Sequence, residues 1–213
     1  MAITFAWREP ADDVVLEQAS RVLAGGGIVA CPTETFYALA VDALQEKAVQ
    51  RLMGIKDRPM DKALLVLVGD RDMVEQVAQV ITPLAEKLMA QFWPGPLTLI
   101  LPARPGLPLP LTGGSGTIGV RQSGHPLAQR LTNYYGSPLT GTSANLSGRA
   151  PLVKAAQVQQ ELGDVIELIL EDGPCAGGLP STILNVVQTP PRLVRAGAIG
   201  VAELEKQIGK IVK

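Results

Sequence analysis

Hydrophobic positions along this chain follow two rhythms. In residues 12–24 they fall at Val14, Val15, Leu16, Ala19, Val22 and Leu23, the spacing of one helical face. Asp12 or Asp13 can cap that helix, and Gly25-Gly26-Gly27 ends it. A second helix is predicted over 45–54 through Ala48, Val49, Leu52 and Met53. A third opens at Thr82-Pro83, a cap followed by a proline, and stops at Pro94-Gly95-Pro96. Further helices are predicted over 126–135, 154–162 and 201–211. The other rhythm is the short continuous apolar run, predicting strands over 28–31, 63–68, 97–101, 117–121, 139–142, 165–170, 182–187 and 192–195. The run 63–68 has no polar interruption and is expected to be buried on both faces. Residues 102–116, with four prolines and four glycines, read as a long surface loop of the kind that forms lids or binding segments. Helix and strand alternate without a strict βαβ repeat. The expected fold is therefore one α/β domain around a mixed, twisted, open sheet.

Composition narrows the function classes. Hydrophobic residues make up 46% and charged residues 18% of 213, which describes an ordinary globular chain with one sizeable core. Basic and acidic side chains number 19 and 20, a net charge of −1, whereas proteins that live on long nucleic acid are usually strongly basic. Any anion binding must then be local. No apolar stretch is long enough to span a bilayer, and Met1–Pro10 lacks a signal-peptide pattern, so a cytoplasmic protein with no membrane contact is expected. Cys31 and Cys175 are far apart in sequence and have no metal-type spacing; they read as two reduced, buried thiols. With one histidine, His125, and two dispersed cysteines, no metal site is expected in the protein. His125 precedes Pro126 and is expected to start a helix rather than serve a Ser-His-Asp site. Neither a P-loop nor a G-x-G-x-x-G turn is present.

What remains is a set of anion-handling groups at strand ends. Pro32-Thr33-Glu34-Thr35 follows one apolar run, and Lys56-Asp57-Arg58-Pro59-Met60-Asp61-Lys62 precedes another. Lys56, Arg58 and Lys62, spaced by two and four beside a proline, look like a phosphate grip, although a solvated turn has the same composition. Arg121 and Arg195 end strands, where each by itself reads better as a surface salt bridge than as an anion ligand. The stretch Thr140-Gly141-Thr142-Ser143-Ala144-Asn145-Leu146-Ser147-Gly148 combines small residues with hydroxyls and an amide, suited either to a close-approaching ligand or to a capped turn. Leu179-Pro180-Ser181-Thr182 reads in the same two ways.

Taken in order, Pro32-Thr33-Glu34-Thr35-x-Tyr37, Lys56-x-Arg58-Pro59-x-x-Lys62, Trp93-Pro94-Gly95-Pro96-Leu97-Thr98, Gly119-Val120-Arg121, Ser143-Ala144-Asn145-x-Ser147-Gly148, Ser181-Thr182 and Arg195-x-Gly197 resemble the YrdC-like family of threonylcarbamoyl-AMP synthases. The likeness runs from about residue 12 to about residue 205, and residues 1–213 are expected to be a single domain of the short form. The resemblance implies a concave, open α/β sheet with a ligand cavity. It implies a nucleotidyltransferase that turns L-threonine, bicarbonate and ATP into threonylcarbamoyl-AMP and pyrophosphate, with Mg²⁺ accompanying ATP. It also implies a partner transferase that passes the threonylcarbamoyl group to tRNA, with tRNA itself a possible contact. By the family pattern, Lys56 and Arg58 would be catalytic. Lys56, Arg58, Lys62, Thr117, Ser143, Asn145 and Arg195 would bind ATP, and Thr35, Tyr37, Arg121 and Ser181 would bind threonine.

Some positions depart from that pattern. Ala38 and Ala40 stand where the family commonly has Gly, Ala63 where Pro is common, Pro151 near a frequent Ser, and Leu67 where some long-form relatives place His. Two other readings therefore stay open. One is a double-stranded RNA or tRNA binding module, against which the net charge of −1 counts. The other is a divergent nucleotide-binding paralogue with a different substrate.

Overall fold

The computed structural model describes residues 1–7 and 13–212. In chain order the elements are β1 (Ile3–Ala6), α1 (Asp13–Ala24), β2 (Val29–Cys31), β3 (Ala38–Ala40), α2 (Glu46–Ile55), β4 (Leu65–Leu67), α3 (Arg71–Val77), α4 (Pro83–Phe92) and β5 (Leu97–Pro102). They continue with α5 (Leu109–Thr112), β6 (Thr117–Arg121), α6 (Pro126–Tyr135), β7 (Leu139–Thr140), β8 (Thr142–Ser143), α7 (Ala155–Leu162), β9 (Leu168–Glu171), β10 (Thr182–Asn185), β11 (Arg192–Arg195) and α8 (Val201–Ile208).

The expected single sheet is two. One has five strands in the order β1-β9-β2-β3-β8, the other six in the order β11-β10-β5-β6-β4-β7. Both mix parallel and antiparallel pairs: β9 runs parallel to β1 and β2, while β2–β3 and β5–β6 are antiparallel. The changeover lies inside the predicted strand 139–142. Thr140 closes β7 against β4 in the larger sheet, and Thr142 opens β8 against β3 in the smaller one. Gly141 between them donates to the Leu65 carbonyl at 2.8 Å. A Cβ at residue 141 would lie 2.6 Å from Leu67 Cγ, so only glycine lets the chain pass this close.

Strands β2 and β9 are covered on both sides, which accounts for their uninterrupted apolar runs. Ile28, Ala30 and Ile169 face the main core, while Val29, Cys31, Leu168 and Leu170 meet α1 and α6 through Leu16, Leu23, Leu127 and Leu131. In the larger sheet the two faces divide by period two. Leu97, Leu99, Leu101, Ile118 and Val120 enter the core. Thr98, Ile100, Thr117, Gly119 and Arg121 face the other way and line a cavity.

Local signals behave as their chemistry requires. Thr82 accepts from the Ala85 amide at 3.2 Å, with Pro83 opening α4. Helix α1 begins at Asp13 and ends before Gly26, which has φ +77°; the alternative cap Asp12 lies outside the described residues. Helix α8 stops at Ile208 because Gly209 takes φ +79°, and the chain turns back so that Val212 accepts from the Leu193 amide. The expected 102–116 loop carries α5, with Pro110 and Leu111 buried, and Pro110 accepts from the Leu64 amide at 3.1 Å. This segment is pinned to the body rather than free over its whole length. No helix among the described residues is long and apolar enough to cross a membrane.

Candidate active site

The cavity between the sheets measures about 350 Å³, within the size range of small-molecule sites. Its wall takes residues from both sheets and from the loops that join them. Of the eleven side chains singled out from the sequence, eight line it: Thr35, Tyr37, Arg58, Thr117, Arg121, Ser143, Ser181 and Arg195. Lys56, Lys62 and Asn145 are not on the wall.

Lys56 lies behind it. Its side chain is buried, and the ammonium donates to the carbonyls of Ser143 and Asn145 at 2.5 and 2.7 Å. Burial, with Arg58 adding repulsion, pulls its pKa down from 10.5 to about 8. Lys56 thus ties the end of α2 to the 143–145 turn. Asn145 continues the link: its carboxamide oxygen accepts from Ser143 Oγ at 2.6 Å, and its nitrogen donates to the Leu146 and Arg149 carbonyls. Lys62 is exposed on the loop, and its carbonyl accepts from Arg58 Nε at 3.0 Å. Arg58 also donates to the Ala63 carbonyl at 2.8 Å, which holds the guanidinium at the cavity edge.

Three guanidiniums meet at this cavity. Burial lowers the pKa of Arg195, and the nearby charges of Arg121 and Arg58 lower it further. Burial likewise lowers Arg58 and Arg121, the latter against the opposing pull of Glu34. Like charges held together while losing water define a place that gains from a bound anion. Arg195 reaches the Ser181 carbonyl at 2.9 and 3.1 Å and Ser181 Oγ at 3.0 Å, and Ser181 Oγ lies 2.9 Å from Thr98 Oγ1.

Glu34 supplies the counter-charge, and sequence reasoning did not single it out as a site residue. Its carboxylate accepts from Arg121 Nη1 at 3.1 Å, from Ser123 Oγ and from the Gly124 amide at 3.0 Å. The signal was present: an arginine expected at a buried strand end needs an acid, and Glu34 stands inside the Pro32–Thr35 motif. Arg121 Nε, by contrast, is buried with no hydrogen-bond partner among the described residues. Thr98 was also missed, although it alternates with the core leucines of β5.

Other sequence expectations find their places. Tyr37 is fully buried and donates to the Gly173 carbonyl at 3.2 Å, with burial raising its pKa. Cys31 and Cys175 are free and buried, and burial pushes Cys31 up to about 12 and Cys175 up to about 11. His125 precedes α6, is lowered by burial, and is not on the cavity wall.

The family profile for Sua5, YciO and YrdC proteins, described as telomere recombination, matches residues 21–197. The chain belongs to the Sua5/YciO/YrdC family. A threonylcarbamoyl-AMP synthase of Pyrococcus abyssi is 36% identical over 211 residues, covering 99% of this chain and 62% of the relative. One of Bacillus subtilis is 38% identical over 201 residues, covering 94% and 58%. One of Vibrio vulnificus is 41% identical over 157 residues, covering 73% and 84%. The chain therefore spans about three-fifths of the length of the first two relatives. Among solved structures, P. abyssi Sua5 complexed with L-threonine superposes with a TM-score of 0.95 at 36% identity, covering 99% of this chain and 62% of that one. Escherichia coli YciO superposes at 0.86 with 26% identity, covering 95% and 99%. Of the departures from the Sua5/YciO/YrdC pattern, Ala38, Ala63 and Pro151 lie on the cavity wall, while Ala40 and Leu67 are buried away from it.

Proposed function

We propose that this chain is a nucleotidyltransferase that makes threonylcarbamoyl-AMP. In this reading the amine of L-threonine takes up the carbon of bicarbonate to form a carbamate, with loss of water. A carbamate oxygen then attacks the α-phosphorus of ATP, and pyrophosphate leaves with the electron pair of the broken P–O bond. No protein nucleophile is required. The work is positioning and cancellation of charge on the phosphates.

The observation that carries the proposal is the meeting of Arg58, Arg121 and Arg195 at one hydroxyl-lined cavity whose wall, among the described residues, has no carboxylate. Kinship with relatives named threonylcarbamoyl-AMP synthase supports it, as does likeness to a Sua5 complexed with L-threonine. Arg121, with Nε unpartnered, and Ser181 would take the threonine carboxylate, and Thr35 and Tyr37 would contact the rest of the amino acid. Arg58 and Arg195 would face the phosphates, Lys62 would approach from the loop, and Thr117 and Ser143 would border the nucleotide. Lys56 and Asn145 would serve by holding Ser143 in place, which changes Lys56 from a direct contact to a support.

Mg²⁺ would arrive with ATP. Among the described residues the wall offers hydroxyl oxygens and no carboxylate, which fits an ion held mainly by the nucleotide's own phosphates. Bound there, it would neutralise phosphate charge. The product is a reactive mixed anhydride, so a transferase acting on tRNA would consume it. The test is pyrophosphate release from ATP in the presence of bicarbonate, with and without L-threonine. Threonine-dependent release is expected, and its absence from folded protein would refute the proposal.

A further inference from the structure

We propose that Glu34 is a positioning residue that sorts anions by charge: it neutralises Arg121, so that this station of the cavity takes the carboxylate of a net-neutral amino acid and turns phosphate away. The inference rests on the threonine reading above and adds how the amino-acid end is kept clear of phosphate.

The three guanidiniums at the cavity are anchored by different chemistry. Arg58 is held by the Lys62 and Ala63 carbonyls at 3.0 and 2.8 Å. Arg195 is held by the Ser181 carbonyl at 2.9 and 3.1 Å and by Ser181 Oγ at 3.0 Å. These anchors are neutral, and neither arginine pairs with a carboxylate among the described residues. Arg121 is anchored by an anion instead, with Glu34 Oε1 at 3.1 Å from Nη1. The other carboxylate oxygen of Glu34 is fixed by Ser123 Oγ and the Gly124 amide, so the counter-charge cannot swing away.

The two kinds of arginine stand apart on one row across the larger sheet. Arg195 pairs with Ile183, and Ile183 with Thr98. Thr98 stands opposite Arg121, one residue on from the Leu99–Val120 pair. All four line the cavity. Three strand spacings separate the backbones of Arg195 and Arg121, about 14 Å. At one end of the row the positive charge of Arg195 adds to that of Arg58. At the other, the charge of Arg121 is cancelled.

That difference decides what each station accepts. An anion on Arg121 would lie roughly 7 Å from the Glu34 carboxylate, the width of a guanidinium plus its hydrogen bonds. Arg121 is 3% exposed, so water screens this repulsion little. Each unit of anion charge then costs about tenfold in affinity. In an α-amino acid, attraction of the ammonium to Glu34 offsets repulsion of the carboxylate. A phosphate dianion has no such offset. Without Glu34, Arg121 would become a further phosphate station, and ATP or pyrophosphate would compete with the amino acid.

The test measures binding of L-threonine and of a non-hydrolysable ATP analogue to the whole chain by calorimetry. Chloride is exchanged for inorganic phosphate at constant ionic strength. In the wild type, phosphate should weaken the ATP analogue clearly while threonine affinity stays within about twofold. In Glu34→Gln the same phosphate should weaken threonine about tenfold. Glu34→Asp, which keeps the charge, should behave as the wild type. A merely structural Glu34 would give weaker threonine binding without phosphate and no competition with it, and that result overturns the inference. So does phosphate that displaces threonine from the wild type, or that displaces neither ligand from it; the threonine reading survives all three. If folded wild-type protein binds no threonine, the functional reading falls and takes the inference with it. Should Glu34→Gln not fold, the wild-type pattern alone decides.

Discussion

Glu34 holds the charge balance of the cavity although it is not on its wall. Three donors converge on its carboxylate, and one belongs to an arginine that is 3% exposed. Replacing Glu34 with Gln leaves Arg121 buried without its counter-charge and should cost about 3 kcal/mol of stability. The double variant Glu34→Gln/Arg121→Gln should be more stable than Glu34→Gln alone, because it removes the stranded charge. Urea unfolding of the three proteins checks this, and a double variant weaker than the single one would mean that the stranded Arg121 charge is not what destabilises Glu34→Gln. Lys56 makes a second residue-scale prediction. Its folded pKa of about 8 lies below its ordinary 10.5, so between these values the unfolded chain binds more protons than the folded one. Unfolding free energy should therefore rise with pH across that window, and fall back as pH drops through about 8. Comparison with Lys56→Met isolates the effect: the difference between the two stability curves should climb from pH 8 to pH 10.5 and be flat below it. Neither behaviour could be read from composition. Lys56, Arg58 and Lys62 look equivalent along the chain, yet one is buried against two carbonyls, one edges the cavity and one is in solvent.

Among the elements, those with strong local chemistry were legible. The Thr82-Pro83 start of α4 and the glycine end of α1 need only neighbouring residues, so the one-dimensional pattern contains them. Helix α3 was missed although Asp70 caps it by accepting from the Met73 amide at 2.8 Å and Met73, Val74 and Val77 form its buried face. Its seven residues are too few for a periodic signal to stand out. Strands β1 and β3 were missed because they are short and owe their pairing to distant partners, β9 for the one and β2 and β8 for the other. The split of 139–142 into β7 and β8 is the most consequential of these differences, and it turns on Gly141. Gly141→Ala should cost about 1–3 kcal/mol, because the new methyl meets Leu67, which is itself buried. Leu67→Ala in the same chain should relieve part of that cost, giving a favourable coupling in a double-mutant cycle read by urea unfolding. Strict additivity would show that the contact with Leu67 is not what confines residue 141 to glycine.

For the molecule as a whole, the cavity is a property of two sheets together. Thr98, Arg121 and Ile183 come to it from the six-stranded sheet, and Ala38 and Ser143 from the five-stranded one. A ligand that fills it should therefore stabilise both. Hydrogen exchange with L-threonine and a non-hydrolysable ATP analogue should slow at amides of β6 and β10 and also at β3 and β8; protection confined to one sheet would contradict a shared site. Taken by itself, the sequence determined the α/β class, most helices, the apolar strands of the core and the inventory of cations and hydroxyls, because helix periods, caps and buried runs are set within a few residues of each other. Tertiary structure alone decided that the strands divide into two sheets, that Glu34 neutralises Arg121 across 87 residues of chain, and that Lys56 is held on the Ser143 and Asn145 carbonyls while Arg195 lines the cavity. These outcomes depend on which distant groups share a small, poorly solvated volume, and neither spacing nor composition records that distance.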